Sequence, residues 1–158
     1  IAASVLACFR SLNLAVFHVI HHSVEANSPL RPERSGSRVK DIVAPKEGED
    51  LINKSVNSAF IGTDLEIRLR NRGINELLIA GLTTDHCVST TTRMAGNLGF
   101  QVYLLADATA TFDKVGPDGR IWSAEDLHSS ALASLHGEFA RVIESRAILA
   151  GQKLKIHS

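Results

Sequence analysis

The chain has 158 residues, of which 44% are hydrophobic and 22% charged, a composition typical of a soluble globular protein with one well-buried core. Lysine plus arginine equals aspartate plus glutamate, 17 against 17, so the zero formal charge gives no electrostatic reason to expect a nucleic acid or an anionic membrane as partner. Two cysteines cannot form a disulfide framework, and neither a signal peptide nor an apolar run of transmembrane length is visible, so we expect a cytoplasmic protein.

Hydrophobic periodicity predicts strands that alternate with helices along the chain. This is the βαβ pattern of an α/β protein with a mostly parallel sheet and right-handed crossovers. We interpret residues 1–158 as a single domain. The strands are predicted at residues 14–20, 39–43, 50–54, 77–81, 101–106 and 139–143, and the helices at 1–12, 63–73, 87–99, 123–136 and from 145 onward.

Two of these helices begin with capping signals. Thr63 and Glu66 have the spacing of a capping box, in which each side chain accepts a hydrogen bond from a backbone N–H at the other end of the turn. Ser123 is predicted to cap the helix that follows it. Between the first strand and the next, residues 23–38 are polar and are interpreted as a loop over the active edge of the sheet.

Cys87 lies where the buried strand at 77–81 gives way to a helix. Open α/β sheets form their ligand sites at the carboxyl ends of their strands. The free N–H groups of a helical first turn also favour a thiolate over a thiol. Position alone leaves two readings open, since a lone cysteine is as often a small buried hydrophobe. The second cysteine, Cys8, lies in an apolar helical stretch and is predicted to pack in the core.

Three segments resemble the isochorismatase-like hydrolases, the cysteine hydrolase superfamily that includes nicotinamidases. They are Pro45–Phe60 (PKEGEDLINKSVNSAF), Thr63–Glu66 (TDLE) and Gly81–Phe112 (GLTTDHCVSTTTRMAGNLGFQVYLLADATATF). The resemblance implies a three-layer α/β/α sandwich around a six-stranded parallel sheet. It also implies an Asp-Lys-Cys triad, with Cys87 as nucleophile and Lys54 as the lysine.

The resemblance further implies an oxyanion hole formed by the backbone N–H groups of Thr83 and Cys87. It predicts a cis peptide bond between Leu82 and Thr83. A developing oxyanion needs such preorganised donors, so the implied site matches thiolate attack on a carbonyl carbon.

No residue of the chain matches the triad aspartate, which the family carries at the end of its first strand. We therefore expect the domain to be N-terminally incomplete, with that strand missing. Asp85 and Asp107 both follow strands, but a local hydrogen-bonding role is the favoured interpretation for each.

His18, His21 and His22 cluster on the first strand and raise the question of a metal site. Alternation places His18 and His22 on one face and His21 on the other, and the Asp-x-His pair of nicotinamidases is missing. We predict no metal and no cofactor.

The pocket wall is predicted to include Phe60, Phe112 and His22, with core packing an equal alternative for the two phenylalanines. Trp122 is interpreted as part of a lid or as a cover for the sheet edge.

The expected function is hydrolysis of a carbon–nitrogen bond in a small-molecule amide through an acyl-enzyme at Cys87. The alternatives are an isochorismatase-type vinyl-ether hydrolase, a nicotinamidase, and an inactive family member that serves as a binding or oligomeric scaffold. By resemblance, we also expect a homo-oligomer.

Overall fold

Strands and helices alternate in the structure, a computed structural model that describes residues 1–150. The α/β prediction is confirmed. The helices are α1 (Ala2–Ser11), α2 (Leu65–Asn71), α3 (Ser89–Asn97), α4 (Ala124–Leu135) and α5 (Ser145–Leu149). The strands are β1 (Phe17–His21), β2 (Asp50–Lys54), β3 (Glu76–Leu82), β4 (Gln101–Ala110), β5 (Lys114–Val115), β6 (Ile121–Trp122) and β7 (Arg141–Ile143).

Five of the strands are parallel and form two groups. β1 pairs with β2, and β4 lies between β3 and β7. Helix α1 contacts α5, and α3 contacts α4, while β4 touches α3, α4 and α5. These contacts place helices on both faces of the strands, which is consistent with a three-layer sandwich.

The core is centred on β4, whose residues from 102 to 105 are all buried. Leu104 and Leu105 are 0% exposed. A strand covered by helices on both faces reads as a continuous apolar run, so β4 loses the alternation of a half-exposed strand. Leu135 of α4 and Ala95 of α3, each 0% exposed, complete the packing on one side.

A gap separates β1 from β3. Among residues 1–150, neither strand has a ladder partner on its facing edge. Two cavities of ≈ 310 and ≈ 190 Å³ occupy this space, and residues of β1 and β3 line both. One cavity extends to α1 and the other to α2. The first strand of the family, which we expect to be missing from this domain, would belong to the parallel sheet that the resemblance implies.

The predicted strand at residues 39–43 is wrong. Residues Asp41–Val43 form a single 3₁₀ turn, and Ile42 is 74% exposed. The segment has no neighbouring strand to pair with in the described part of the chain, so its apolar residues do not form a ladder. A short antiparallel hairpin, β5–β6, occurs between β4 and α4, where no strand was predicted.

The two predicted caps differ in outcome. Ser123 Oγ accepts a hydrogen bond from the backbone N–H of Asp126 at 3.1 Å, so the α4 cap is confirmed. The capping box before α2 is formed only in part, since the Thr63 hydroxyl accepts a hydrogen bond from the backbone N–H of Leu65 at 3.4 Å. The same hydroxyl donates to the carbonyl of Ala59 at 2.6 Å, and Glu66 pairs with Arg70 at 3.6 Å one turn later, so the glutamate half of the box is missing.

Candidate functional site

The carboxyl ends of β1 and β2 bring His21 and Lys54 side by side. The two residues are direct partners in the parallel register of these strands. In β2, Asp50, Ile52 and Lys54 face inward while the residues between them are exposed, so the period-two alternation buries the lysine. Its overall exposure is 6%, which is unusual for a lysine.

Cys87 lies on a sharp connection between β3 and α3. Gly81 has φ = 131°, a conformation that only glycine adopts readily, and the peptide bond between Leu82 and Thr83 is cis, as the resemblance predicts. A π-helical turn at Thr84–Val88 then leads into α3. In this turn the N–H of Val88 donates to the carbonyl of Thr83 at 3.2 Å. The sequence predicted an ordinary helix start at Cys87, whereas the wider turn begins three residues earlier.

The turn places the Cys87 thiol against the Lys54 ammonium. Lys54 Nζ lies 3.2 Å from Cys87 Sγ, 3.1 Å from His21 Nδ1 and 2.9 Å from the carbonyl oxygen of Val56. On another side, Cys87 Sγ lies 3.8 Å from Asn57 Oδ1. Cys87 is partly exposed, so a small molecule can reach the sulfur while the lysine stays buried.

The charge of Lys54 has no carboxylate partner in the described part of the chain, where no carboxylate oxygen lies within 4.0 Å of its Nζ. A buried ammonium is costly unless an anion or good acceptors surround it. Here the nearest group that can carry a negative charge is the sulfur of Cys87. The buried lysine therefore faces the cysteine sulfur with no carboxylate between them in the described part of the chain.

His21 lies beside this pair as a neutral group. Burial lowers the pKa of His21 below its usual 6.5, and the positive charge of Lys54 lowers it further. The imidazole can then accept a hydrogen bond from Lys54 at Nδ1.

Two further contacts hold the turn that carries Cys87. Thr84 is 0% exposed, and its hydroxyl is hydrogen-bonded to His128 Nδ1 of α4 at 2.8 Å. The carboxylate of Asp85 accepts from the Thr111 hydroxyl at 2.6 Å and pairs with Lys114. Burial acts to raise the pKa of Asp85, but the hydrogen bonds from Lys114 and Thr111 outweigh it and lower the pKa to about 2.

The three predicted pocket residues lie in different surroundings, and their role in a pocket stays a prediction. Phe60 packs against the core and stacks on Phe100 with ring centroids 5.8 Å apart. Phe112 is 64% exposed on the segment after β4. His22 is tied to β2 through its backbone N–H, which donates to the Lys54 carbonyl at 2.7 Å. The guanidinium of Arg120 lies 4.3 Å from the Trp122 ring centroid.

The remaining acids and histidines have other partners. Asp107 accepts hydrogen bonds from the N–H and hydroxyl of Ser145. His18 pairs with Glu49 at 2.8 Å. Within residues 1–150, no three His, Cys, Asp or Glu side chains are grouped so that they could hold a metal ion. Over the same residues, no helix combines the length and apolarity needed to cross a bilayer.

Sequence reasoning missed the contact of His21 with Lys54. Alternation alone placed His21 opposite the other two histidines but gave it no partner. The signal that could have found this contact is the register of β1 with β2, which pairs the last residue of one strand, His21, with the last residue of the other, Lys54. The two strands were predicted separately, without their register, so this pairing was not visible.

A buried lysine beside a cysteine at the carboxyl edge of a parallel sheet is the arrangement that the resemblance to cysteine hydrolases implies, and comparison with known proteins agrees with this class. The isochorismatase domain profile matches residues 1–147, so the chain belongs to the isochorismatase family of hydrolases.

Individual relatives support the family assignment. The isochorismatase family protein YrdC of Bacillus subtilis is 42% identical over 147 residues, covering 93% of this chain and 79% of its own. A solved isochorismatase-family protein from Chromobacterium violaceum is 48% identical with a TM-score of 0.90, over 94% of this chain and 77% of its own. The ureidoacrylate amidohydrolase RutB of Methylobacterium radiotolerans is 32% identical over 124 residues, covering 78% of this chain and 44% of its own.

Proposed function

We propose that the protein hydrolyses a carbon–nitrogen bond of a small-molecule amide, with Cys87 as the nucleophile. The observation that carries the proposal is the 3.2 Å contact between Lys54 Nζ and Cys87 Sγ in a site that buries the lysine but not the sulfur. A relative named for amide hydrolysis, ureidoacrylate amidohydrolase RutB, supports the choice of bond.

The first half-reaction forms an acyl-enzyme. The Cys87 thiolate attacks the carbonyl carbon and forms a C–S bond, while the carbonyl oxygen becomes an oxyanion that the backbone N–H groups of Thr83 and Cys87 are proposed to bind. Collapse of this intermediate breaks the C–N bond. The leaving nitrogen takes a proton from the Lys54 ammonium, which is the nearest N–H donor to the sulfur among the described side chains.

The second half-reaction regenerates the site. A water attacks the thioester carbon and gives a proton to the Lys54 amine, and the C–S bond breaks to release the carboxylic acid and the thiolate. The sum is amide plus water giving acid plus amine, and the ammonium–thiolate pair is restored. Lys54 thus has two roles, since its charge stabilises the thiolate and its proton shuttles between the leaving group and water.

Cys87→Ala tests the covalent mechanism. We expect this variant to lose turnover of any amide that the unsubstituted chain hydrolyses from a panel of small primary amides and ureides, and to keep its thermal unfolding midpoint. Mass spectrometry of the unsubstituted chain quenched during turnover should show the acyl group on the peptide that contains Cys87. Unchanged hydrolysis by Cys87→Ala would rule the mechanism out.

A further inference from the structure

We propose that His21 is a positioning residue, whose neutral imidazole accepts a hydrogen bond from the Lys54 ammonium and so directs another N–H of that ammonium at the Cys87 sulfur. The inference deepens the proposed function and rests on it. The geometry comes from the paired ends of β1 and β2, where His21 Nδ1 lies 3.1 Å from Lys54 Nζ.

The Lys54 ammonium has as many donors as there are acceptors around it. Lys54 carries three N–H donors at tetrahedral angles, and three acceptors surround it, namely the Val56 carbonyl, His21 Nδ1 and Cys87 Sγ. When the first two acceptors hold two of the N–H groups, the direction of the third is fixed toward the sulfur. Removal of the His21 acceptor leaves the ammonium free to rotate about its last bond and leaves one buried donor without a partner.

The role requires one tautomer and one charge state. Since Nδ1 accepts from Lys54, the proton of the neutral ring must be on Nε2. A second proton on Nδ1 would convert the acceptor into a donor and place a cation beside the ammonium. The titratable groups around His21 are Lys54 on β2, the adjacent His22 and, beyond Lys54, Cys87. Burial and the lysine charge keep the pKa of His21 below 6.5, so the ring is neutral at pH 7.

The direct test uses alkylation of Cys87 by iodoacetamide, followed by peptide mapping, because this readout needs no substrate. His21→Ala should slow alkylation at pH 7 by about tenfold, the effect of losing one hydrogen bond to a charged group. In His21→Asn, Oδ1 is attached to Cγ just as Nδ1 is in histidine, and it accepts a hydrogen bond without titrating in this range. This variant should stay within about threefold of the unsubstituted chain.

The pH profile separates positioning from a merely structural role. In the unsubstituted chain, the alkylation rate should fall along an acid limb whose midpoint lies below pH 6.5, as His21 takes up a proton. In His21→Asn the acid limb should move to a different midpoint, because the sulfur alone then takes up a proton. The matched control is His136→Asn, because His136 Nδ1 also accepts a hydrogen bond, from the N–H of Val142 in β7, but is exposed. It should leave the rate and the limb unchanged.

Nitrogen-15 NMR of the histidine rings gives a readout that does not depend on whether a variant folds. At pH 7 the resonances of His21 should show an unprotonated Nδ1 and a protonated Nε2. A proton on Nδ1, equal alkylation rates in His21→Ala and the unsubstituted chain, or an acid limb with the same midpoint in His21→Asn would each overturn the inference. Slower alkylation in His21→Ala with no amide hydrolysed would sustain the inference while removing the proposed function. Unchanged alkylation in His21→Ala, together with amide hydrolysis by the unsubstituted chain, would overturn the inference and leave the proposed function standing.

Discussion

Asp85 lies two residues before Cys87, and its carboxylate is bound to the Thr111 hydroxyl and to Lys114. These contacts join the turn that carries the nucleophile to the segment that leads from β4 into β5. Asp85 therefore holds the turn in place and is separate from the Lys54–Cys87 pair. This placement agrees with the interpretation of Asp85 as a hydrogen-bonding residue.

The pKa of Asp85 predicts a pH-dependent contribution to stability. Because the pKa is lowered from 3.8 to about 2 on folding, this contribution is fully present above pH 3.8 and is lost as the pH falls toward 2. Asp85→Asn should lower the thermal unfolding midpoint at pH 7. The difference between variant and unsubstituted chain should shrink between pH 4 and pH 2. A difference that stays constant over this range would show that the ionised carboxylate is not the stabilising group.

At the residue level, the sequence was informative where a motif has a fixed length and order. The segment from Gly81 to Phe112 located Cys87, and the segment from Pro45 to Phe60 located Lys54. The sequence was uninformative where the position of a side chain depends on pairing between strands that are distant in the chain. His21 is such a case, since its contact with Lys54 follows from the β1–β2 register. The sequence was also uninformative for Phe60, because an aromatic side chain suits core packing and pocket lining equally well.

At the level of elements, α4 has the clearest determinant of its start. Ser123→Ala removes the acceptor of the Asp126 N–H and should cost about 1 kcal/mol of unfolding free energy. Urea denaturation measures this cost. Ser134→Ala, on the same helix, is the matched control, because that hydroxyl only donates to the Ser130 carbonyl one turn earlier and alanine is the better helix former. Equal midpoints for the two variants would contradict the capping role.

Elements with strong periodicity were predictable, and those set by context were not. The pattern of apolar residues along the sequence located α1, β3 and α4 to within a few residues. It misassigned residues 39–43, which are apolar enough for a strand but have no neighbouring strand to pair with. The β5–β6 hairpin was missed because two-residue strands are too short for a periodic signal.

At the level of the whole molecule, the gap between β1 and β3 is the main departure from a continuous sheet. Both facing edges carry unpaired backbone groups in the described part of the chain, and apolar side chains such as Val19 and Leu78 line the cavities between them. The shape and chemistry of this space suit one extended apolar segment. The expected extra strand of the domain and the expected homo-oligomer both remain predictions.

An amino-terminal extension that supplies an apolar strand should fill this gap and stabilise the fold. We expect the thermal unfolding midpoint to rise by about 4 °C or more, which corresponds to at least about 1 kcal/mol for a domain of this size. Differential scanning calorimetry measures the change. An extension of equal length made of glycine and serine is the control and should leave the midpoint unchanged. If both extensions behave alike, the gap does not accept a strand.

Lys54 is proposed to activate Cys87 as a thiolate nucleophile, and the alkylation rates of the two cysteines at pH 7 test this role. We predict that iodoacetamide modifies Cys87 about tenfold faster than Cys8, because the thiolate is the reactive form. Lys54→Met, which keeps a long apolar stem but removes the ammonium, should abolish that advantage and leave Cys8 unaffected. A rate at Cys87 that is the same with lysine or methionine at position 54 would show that the ammonium does not activate this thiol.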